Sequence, residues 1–188
     1  MRRKDVRLMA YVLLGFLCLR GLTQYDILKA LKLRVSPFYQ PSLGSVQATL
    51  KKLLSAGWAT VEVSEGGRKK NTYRITEAGR LAFSQWMLTD TFMESVSRLD
   101  AELSTRLFFL GLMTAGERKQ IVKSAADNIE KLLAEYRQAD NAYGQKAIPV
   151  GYEDVARFQL KTLSMGIHQL ASMLGWLRGL YDELEVEV

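Results

Sequence analysis

At one place, between Trp58 and Ile75, the apolar period of this 188-residue chain switches from that of a helix to that of a strand and back. Before it, Leu43, Val46, Leu50, Leu53 and Leu54 recur at helical spacing. Inside it, Trp58, Thr60 and Glu62 alternate with Ala59, Val61 and Val63, and Thr72-Tyr73-Arg74-Ile75 returns after the turn Ser64-Glu65-Gly66-Gly67. After it, Thr76 caps a helix carrying Leu81, Ala82, Phe83, Trp86 and Met87. A lone hairpin in a helical chain leaves no room for a barrel, a sandwich or a doubly wound sheet, each of which needs several strands. The fold class expected is mostly α, with a small α+β wing.

The order of elements sharpens this. Residues from about Asp5 to Leu19 are apolar on nearly every side, as in a buried helix, and Gly21 ends it. Thr23 is placed to cap a short second helix through Tyr25, Ile27, Leu28 and Leu31. Pro37 and Pro41 mark a connection, Ser42 caps the third helix and Gly57 stops it. Helix, helix, helix, hairpin, helix is the layout of a winged helix-turn-helix. Such a domain lays its third helix in the major groove and its hairpin along the backbone or minor groove. Residues 1–91 are therefore expected to be a DNA-binding winged helix-turn-helix domain.

Charge agrees with that division. The net charge of +6 hides a split: residues 1–80 hold 15 Lys/Arg against 5 Asp/Glu, and residues 81–188 hold 11 against 15. A polyanion would meet the front half only. The polar face of the third helix offers Ser42, Ser45, Gln47, Thr49, Lys51 and Lys52, and the hairpin tip offers Arg68, Lys69 and Lys70. Gln47 has the donor and acceptor pair that matches adenine, and the lysines and arginine suit phosphates. Tyr39 is a further candidate for a phosphate hydrogen bond, although Phe38 and Tyr39 serve packing equally well. The bland reading of these positions is a solvated polar face and an ordinary solubilising turn.

Residues 92–188 read as all helix. Leu99, Leu103, Leu107 and Leu110 share a face of a helix from about Phe92 to Met113. Thr114 with Glu117 forms a capping box for the next helix, whose seam runs from Val122 to Tyr143. Gly144 to Gly151 is a loop. The last helix, from about Tyr152 to Leu184, carries an unbroken seam that includes Leu160, Leu163, Ile167, Leu170, Leu174, Leu177 and Tyr181. Sustained heptads mark coiled-coil packing. Two such helices joined by one loop form a hairpin, yet Phe158, Met165, Met173, Trp176 and Leu180 widen the apolar surface beyond what one neighbour covers. This half is expected to be a helical, coiled-coil-like dimerisation domain whose seam residues meet a second copy. A homodimer also suits a reader of two half-sites.

Catalysis finds little support. With one histidine, His168, and one cysteine, Cys18, no metal-ligand cluster can assemble, and neither Gly44-Ser45 nor Gly66-Gly67 has the Lys or the spacing of a phosphate loop. No cofactor, metal or enzymatic activity is expected. Cys18 lies in an apolar run, where a buried inert thiol is the default over a redox sensor. Arg2, Arg3 and Lys4 ahead of the Leu8–Leu19 stretch mimic a secretion signal, but no small-x-small cleavage site follows. That stretch is also shorter than the roughly 20 residues a membrane span takes. A cytoplasmic protein without membrane association is expected. The competing class is a winged helix that binds protein rather than DNA.

The first half resembles the PadR family of transcriptional regulators, through Leu14-Gly15, Tyr25-Asp26-Ile27, Gly44 with Leu50, Leu53 and Gly57, and above all Tyr73-Arg74-Ile75-Thr76-Glu77-Ala78-Gly79. The helical remainder is similar in pattern and length to the C-terminal dimerisation domain of the longer subfamily. The third helix departs from the family pattern: Gln47-Ala48 stands where a Tyr-Pro pair is usual. The resemblance implies a homodimer on pseudo-palindromic double-stranded DNA, repression as the commoner mode, and in some members release by a planar aromatic effector. Trp86, Phe92, Phe108 and Trp176 are the candidates to line such an effector site, against the plainer reading of core aromatics.

Overall fold

A computed structural model describes residues 3–32, 42–64, 71–89, 99–145 and 147–186. The elements are α1 (Arg3–Leu19), β1 (Leu22–Thr23), α2 (Gln24–Lys32), α3 (Leu43–Ser55), β2 (Ala59–Val63), β3 (Asn71–Ile75), α4 (Glu77–Leu88), α5 (Leu99–Phe108), a 3-10 turn (Leu110–Leu112), α6 (Ala115–Gly144) and α7 (Glu153–Val186). The mostly helical chain with a small antiparallel wing is as expected. The chain forms two compact units, residues 1–113 and 114–188. That boundary lies later than the one expected at 91/92, and α5 falls in the first unit.

In the first unit, α1 is the central helix: Leu8, Met9, Val12, Leu13, Leu14, Phe16 and Leu17 are all buried. A helix buried this fully explains its lack of a polar stripe. Ile27 and Leu31 of α2, Val46, Leu50 and Leu53 of α3, and Phe83 and Met87 of α4 are buried with it. The helix starts are set by local hydrogen bonds. Thr23 Oγ1 accepts from the amide of Asp26 at 3.2 Å while the Asp26 carboxylate accepts from the Thr23 amide at 3.2 Å and hydroxyl at 2.6 Å. The Ser42 hydroxyl accepts from the amide of Ser45 at 3.3 Å, and that of Thr76 from Gly79 at 3.1 Å. Each such cap is worth about 1 kcal/mol.

The sheet has three strands in the order β1-β3-β2, all antiparallel. β2 and β3 are the expected hairpin; β1 is not legible in the sequence, because a two-residue strand has no period and exists only through its pairing with Tyr73 and Thr72. Val61 and Val63 are exposed although they alternate as a core face would, so β2 runs beyond the body of the unit after Ala59.

The helix expected over 92–113 is shorter among the described residues. It ends at Phe108, and Phe109 leads into the 3-10 turn. The cause is Phe109, whose ring lies so close to Gly15 that a Cβ there would sit 2.6 Å away. The ring meets Phe16 edge-on at 5.3 Å and Phe83 at 5.8 Å, geometries favourable to aromatic pairs. Arg106 is buried and donates from Nη2 to the carbonyls of Trp86 and Thr89, both at 3.0 Å, with its guanidinium over the Trp86 ring. These contacts hold the end of α5 on α1 and α4.

The second unit is a helical hairpin. Thr114 and Glu117 form the expected capping box, and the hydrogen bonds from Thr114 hold the Glu117 carboxyl below its ordinary pKa. The ion pair Arg178–Glu130 at 2.7 Å and the Tyr136 ring against Gly166 fix α6 and α7 antiparallel. The α7 seam is partly used up inside this single chain. Leu170, Leu174 and Leu177 are buried, and Leu160, Leu163, Ile167 and Tyr181 are half-buried. The expectation that the whole seam faces a second copy needs correction for the three buried leucines, because one antiparallel neighbour already removes them from solvent. Outside the seam, Val155, Phe158, Met165 and Trp176 are exposed. No described helix is long and apolar enough to cross a membrane.

Candidate nucleic-acid interface

The phase of α3 is fixed by its buried face. Ser45, Val46, Thr49, Leu50 and Leu53 point inward. Gly44, Gln47, Ala48, Lys51, Lys52 and Ser55 are exposed, and so is the cap residue Ser42. Two residues expected to read DNA are therefore excluded. Thr49 is fully buried and its hydroxyl donates to the Ser45 carbonyl at 2.8 Å; Ser45 is buried and its hydroxyl donates to the Ser42 carbonyl at 2.7 Å. Hydroxyls that bond a carbonyl of their own helix are buried at little cost, so polar character alone did not reveal the inward face. Gln47, Lys51 and Lys52 remain, and neither lysine has an ion-pair partner among the described residues. Gly44 and Ala48 join the outer face, although neither side chain has a polar atom to suggest a DNA contact.

The frame behind this helix is knit at one point. Gly57, at φ 69°, ends α3 in the left-handed conformation that glycine tolerates. The Trp58 amide donates to the Leu53 carbonyl at 2.9 Å, and the Trp58 carbonyl accepts from the Thr76 amide at 3.1 Å. The Thr76 hydroxyl donates to the Gly57 carbonyl at 2.6 Å. The end of α3, the base of the wing and the start of α4 therefore share two residues. The Trp58 ring lies 6.4 Å from Tyr11, and Tyr11 stacks on Trp86 at 4.7 Å with 7° between planes. The Arg106 guanidinium also lies over the Trp86 ring, 4.6 Å from its centroid.

On the wing, Arg74 is paired with Glu62 at 2.8 Å across the strands, both being more than half exposed. Such a pair contributes little to stability but occupies one cation. Arg68, Lys69, Lys70, Tyr39 and Phe92 lie outside the described residues. Three of the aromatics expected around an effector are among the described residues. Trp86 belongs to the stack, Phe108 meets Phe16 and Phe109 edge-on, and Trp176 is an exposed residue of the second unit. A groove of about 920 Å³ in the second unit is lined instead by Tyr136, Tyr143, Tyr152, Leu160, Leu163 and Met165, among others. Cys18 is half-buried in α1, and burial pushes its thiol pKa up, away from the reactive range.

A three-helix body with a paired hairpin, presenting the outer face of its third helix, defines a winged helix-turn-helix protein. Residues 13–85 match the family described as "Transcriptional regulator PadR-like family". Over those residues the chain is similar to a PadR-like domain. A curated relative, the "Negative transcriptional regulator PadR" of Bacillus subtilis, is 22% identical over 181 residues, covering 93% of this chain and 96% of its own. Among solved structures, the chain is similar to Bacillus subtilis PadR in complex with operator DNA, at 18% identity and TM-score 0.42, covering 93% of this chain and 98% of that one. It is also similar to the Vibrio cholerae virulence activator AphA, at 26% identity and TM-score 0.40, covering 96% and 99%.

Proposed function

We propose that this PadR-like regulator is a sequence-specific DNA-binding repressor, acting in the cytoplasm as a homodimer on a pseudo-palindromic operator and not as an enzyme. One observation carries the reading: the outer face of α3 presents Gln47, Lys51 and Lys52 to solvent, in the half of the chain that holds most of its positive charge. Gln47 supplies base readout and the lysines supply phosphate contact. Arg68, Lys69 and Lys70 add backbone contacts from the wing tip, and Ser42 at the helix start adds another.

The dimer is supported by the outward apolar residues of α7. Val155, Phe158, Met165 and Trp176 fall on one stripe of alternating three- and four-residue steps through Thr162, Gln169 and Ser172. That stripe, rather than the buried part of the seam, is the surface we assign to the second copy. For the aromatic effector, the tyrosine-lined groove of the hairpin supports binding better than the four aromatics expected at first, because one groove gathers Tyr136, Tyr143 and Tyr152 with apolar side chains; it shares Val155 and Met165 with the dimer stripe, so the effector would lie at the edge of that interface.

The test is fluorescence anisotropy with the promoter fragment upstream of its own gene. Saturable, salt-sensitive binding is expected. Replacing Lys69 and Lys70 by Ala weakens binding to all duplexes alike, whereas Gln47→Ala relaxes the preference for the promoter over mixed sequence. Unchanged binding by both variants overturns the groove assignment. No binding by the parent at low salt points to the competing reading, a winged helix that binds protein.

A further inference from the structure

We propose that Tyr25 and Lys29 of α2 form a second backbone clamp beside the wing, holding a phosphate of the DNA strand that flanks the groove; this rests on the DNA reading above. Tyr25 is 75% exposed, more than any other described aromatic. An aromatic left so far in water, in the first turn of a helix whose other large apolar residues are inward, is not there for packing. Its hydroxyl has no hydrogen-bond partner among the described residues.

The sheet decides where that hydroxyl lies. β1 pairs antiparallel with β3, Leu22 opposite Tyr73 and Thr23 opposite Thr72. The chain leaving Thr23 therefore travels toward Asn71, the end of β3 that directly follows Arg68-Lys69-Lys70 in sequence. The first turn of α2 is thus fastened to the end of β3 that follows the three basic residues in sequence. Lys29 follows Tyr25 by four residues, one helical turn along the same exposed face. It too lacks an ion pair among the described residues. The one acidic side chain of this turn, Asp26, is engaged with the Thr23 amide and hydroxyl.

In helix-turn-helix docking the first helix of the pair crosses the backbone while the second enters the groove. Phenol O–H and ammonium groups are donors suited to phosphate oxygens, and they fix register without reading sequence. The clamp would give this chain a backbone contact that does not depend on α3, where Gln47-Ala48 replaces the usual Tyr-Pro pair.

The experiment uses the full chain and a fluorescein-labelled duplex of mixed sequence, since phosphate contacts are independent of sequence. Tyr25→Phe is expected to weaken binding by about tenfold or more, the worth of one hydrogen bond to a charged acceptor. Lys29→Ala is expected to flatten the slope of log affinity against log salt by about 0.9. Both variants should melt with the parent, because both side chains are exposed, and Lys131→Ala, at an exposed position of the second unit, should bind as the parent does. If Tyr25→Phe and Lys29→Ala keep the parent's affinity and slope while replacing Lys69 and Lys70 by Ala lowers them, the clamp is wrong and the wing contact stands. If the parent binds no duplex at low salt, the DNA reading itself fails and takes the clamp with it.

Discussion

Gly79→Ala sets two effects of known size against each other. Gly79 lies at the third position of α4, where alanine is ordinarily favoured over glycine by about 1 kcal/mol. The structure removes that advantage. A Cβ on Gly79 would lie 2.1 Å from the Trp58 carbonyl oxygen and 2.9 Å from Ile75 Cγ1. Backbone cannot swing aside as a long side chain does, so α4 or the base of the wing must shift by more than an ångström to reach ordinary contact. That carbonyl also accepts from the Thr76 amide, and the Gly79 amide donates to the Thr76 hydroxyl. Moving either group strains both bonds. Overpacking of this kind costs about 1–3 kcal/mol and sometimes more, and a lost cap adds about 1 kcal/mol. The net expectation is a loss of about 2 kcal/mol or more, read as a lower thermal midpoint of the first unit. Gly44→Ala is the control: the added Cβ meets nothing within 4 Å, so stability should hold or rise. If Gly79→Ala melts at or above the parent, the close approach of α4 to Trp58 is not as described and the reasoning fails.

Two further outcomes are expected. Met165→Glu, on the outward stripe of α7, should shift the chain from dimer to monomer in sedimentation while leaving its helical circular dichroism intact; a dimer that survives the charge places the interface elsewhere. Phenolic compounds should raise the thermal midpoint of the parent, and Gly166→Phe, which fills the groove beside Tyr136, should abolish that rise; an identical rise in the variant assigns the compounds to another site.

What was legible in the sequence is what local physics enforces. Ser42, Thr76 and the Thr114–Glu117 box bond to amides three residues away, so their helix starts follow from spacing alone. The hairpin follows from the change of period around Gly66-Gly67, and β2 pairs with β3 antiparallel from Ala59 to Val63. The PadR-like run from Tyr73 to Gly79 is now understood through its last residue, whose lack of a side chain lets α4 start against Trp58.

What only the tertiary structure decided involves partners far apart in sequence or groups whose polarity misleads. β1 exists because Thr72 and Tyr73 lie beside it, fifty residues on. The helix after Leu99 stops where Phe109 finds the bare backbone of Gly15. Ser45 and Thr49 turn inward because their hydroxyls are satisfied by their own helix, which no period of apolar residues records. The heptads of α7 promised one interface, but Leu170, Leu174 and Leu177 are buried within one chain, and the exposed Phe158, Met165 and Trp176 lie off the seam. A seam in sequence states only that a face is apolar; which neighbour covers it depends on how the rest of the chain packs.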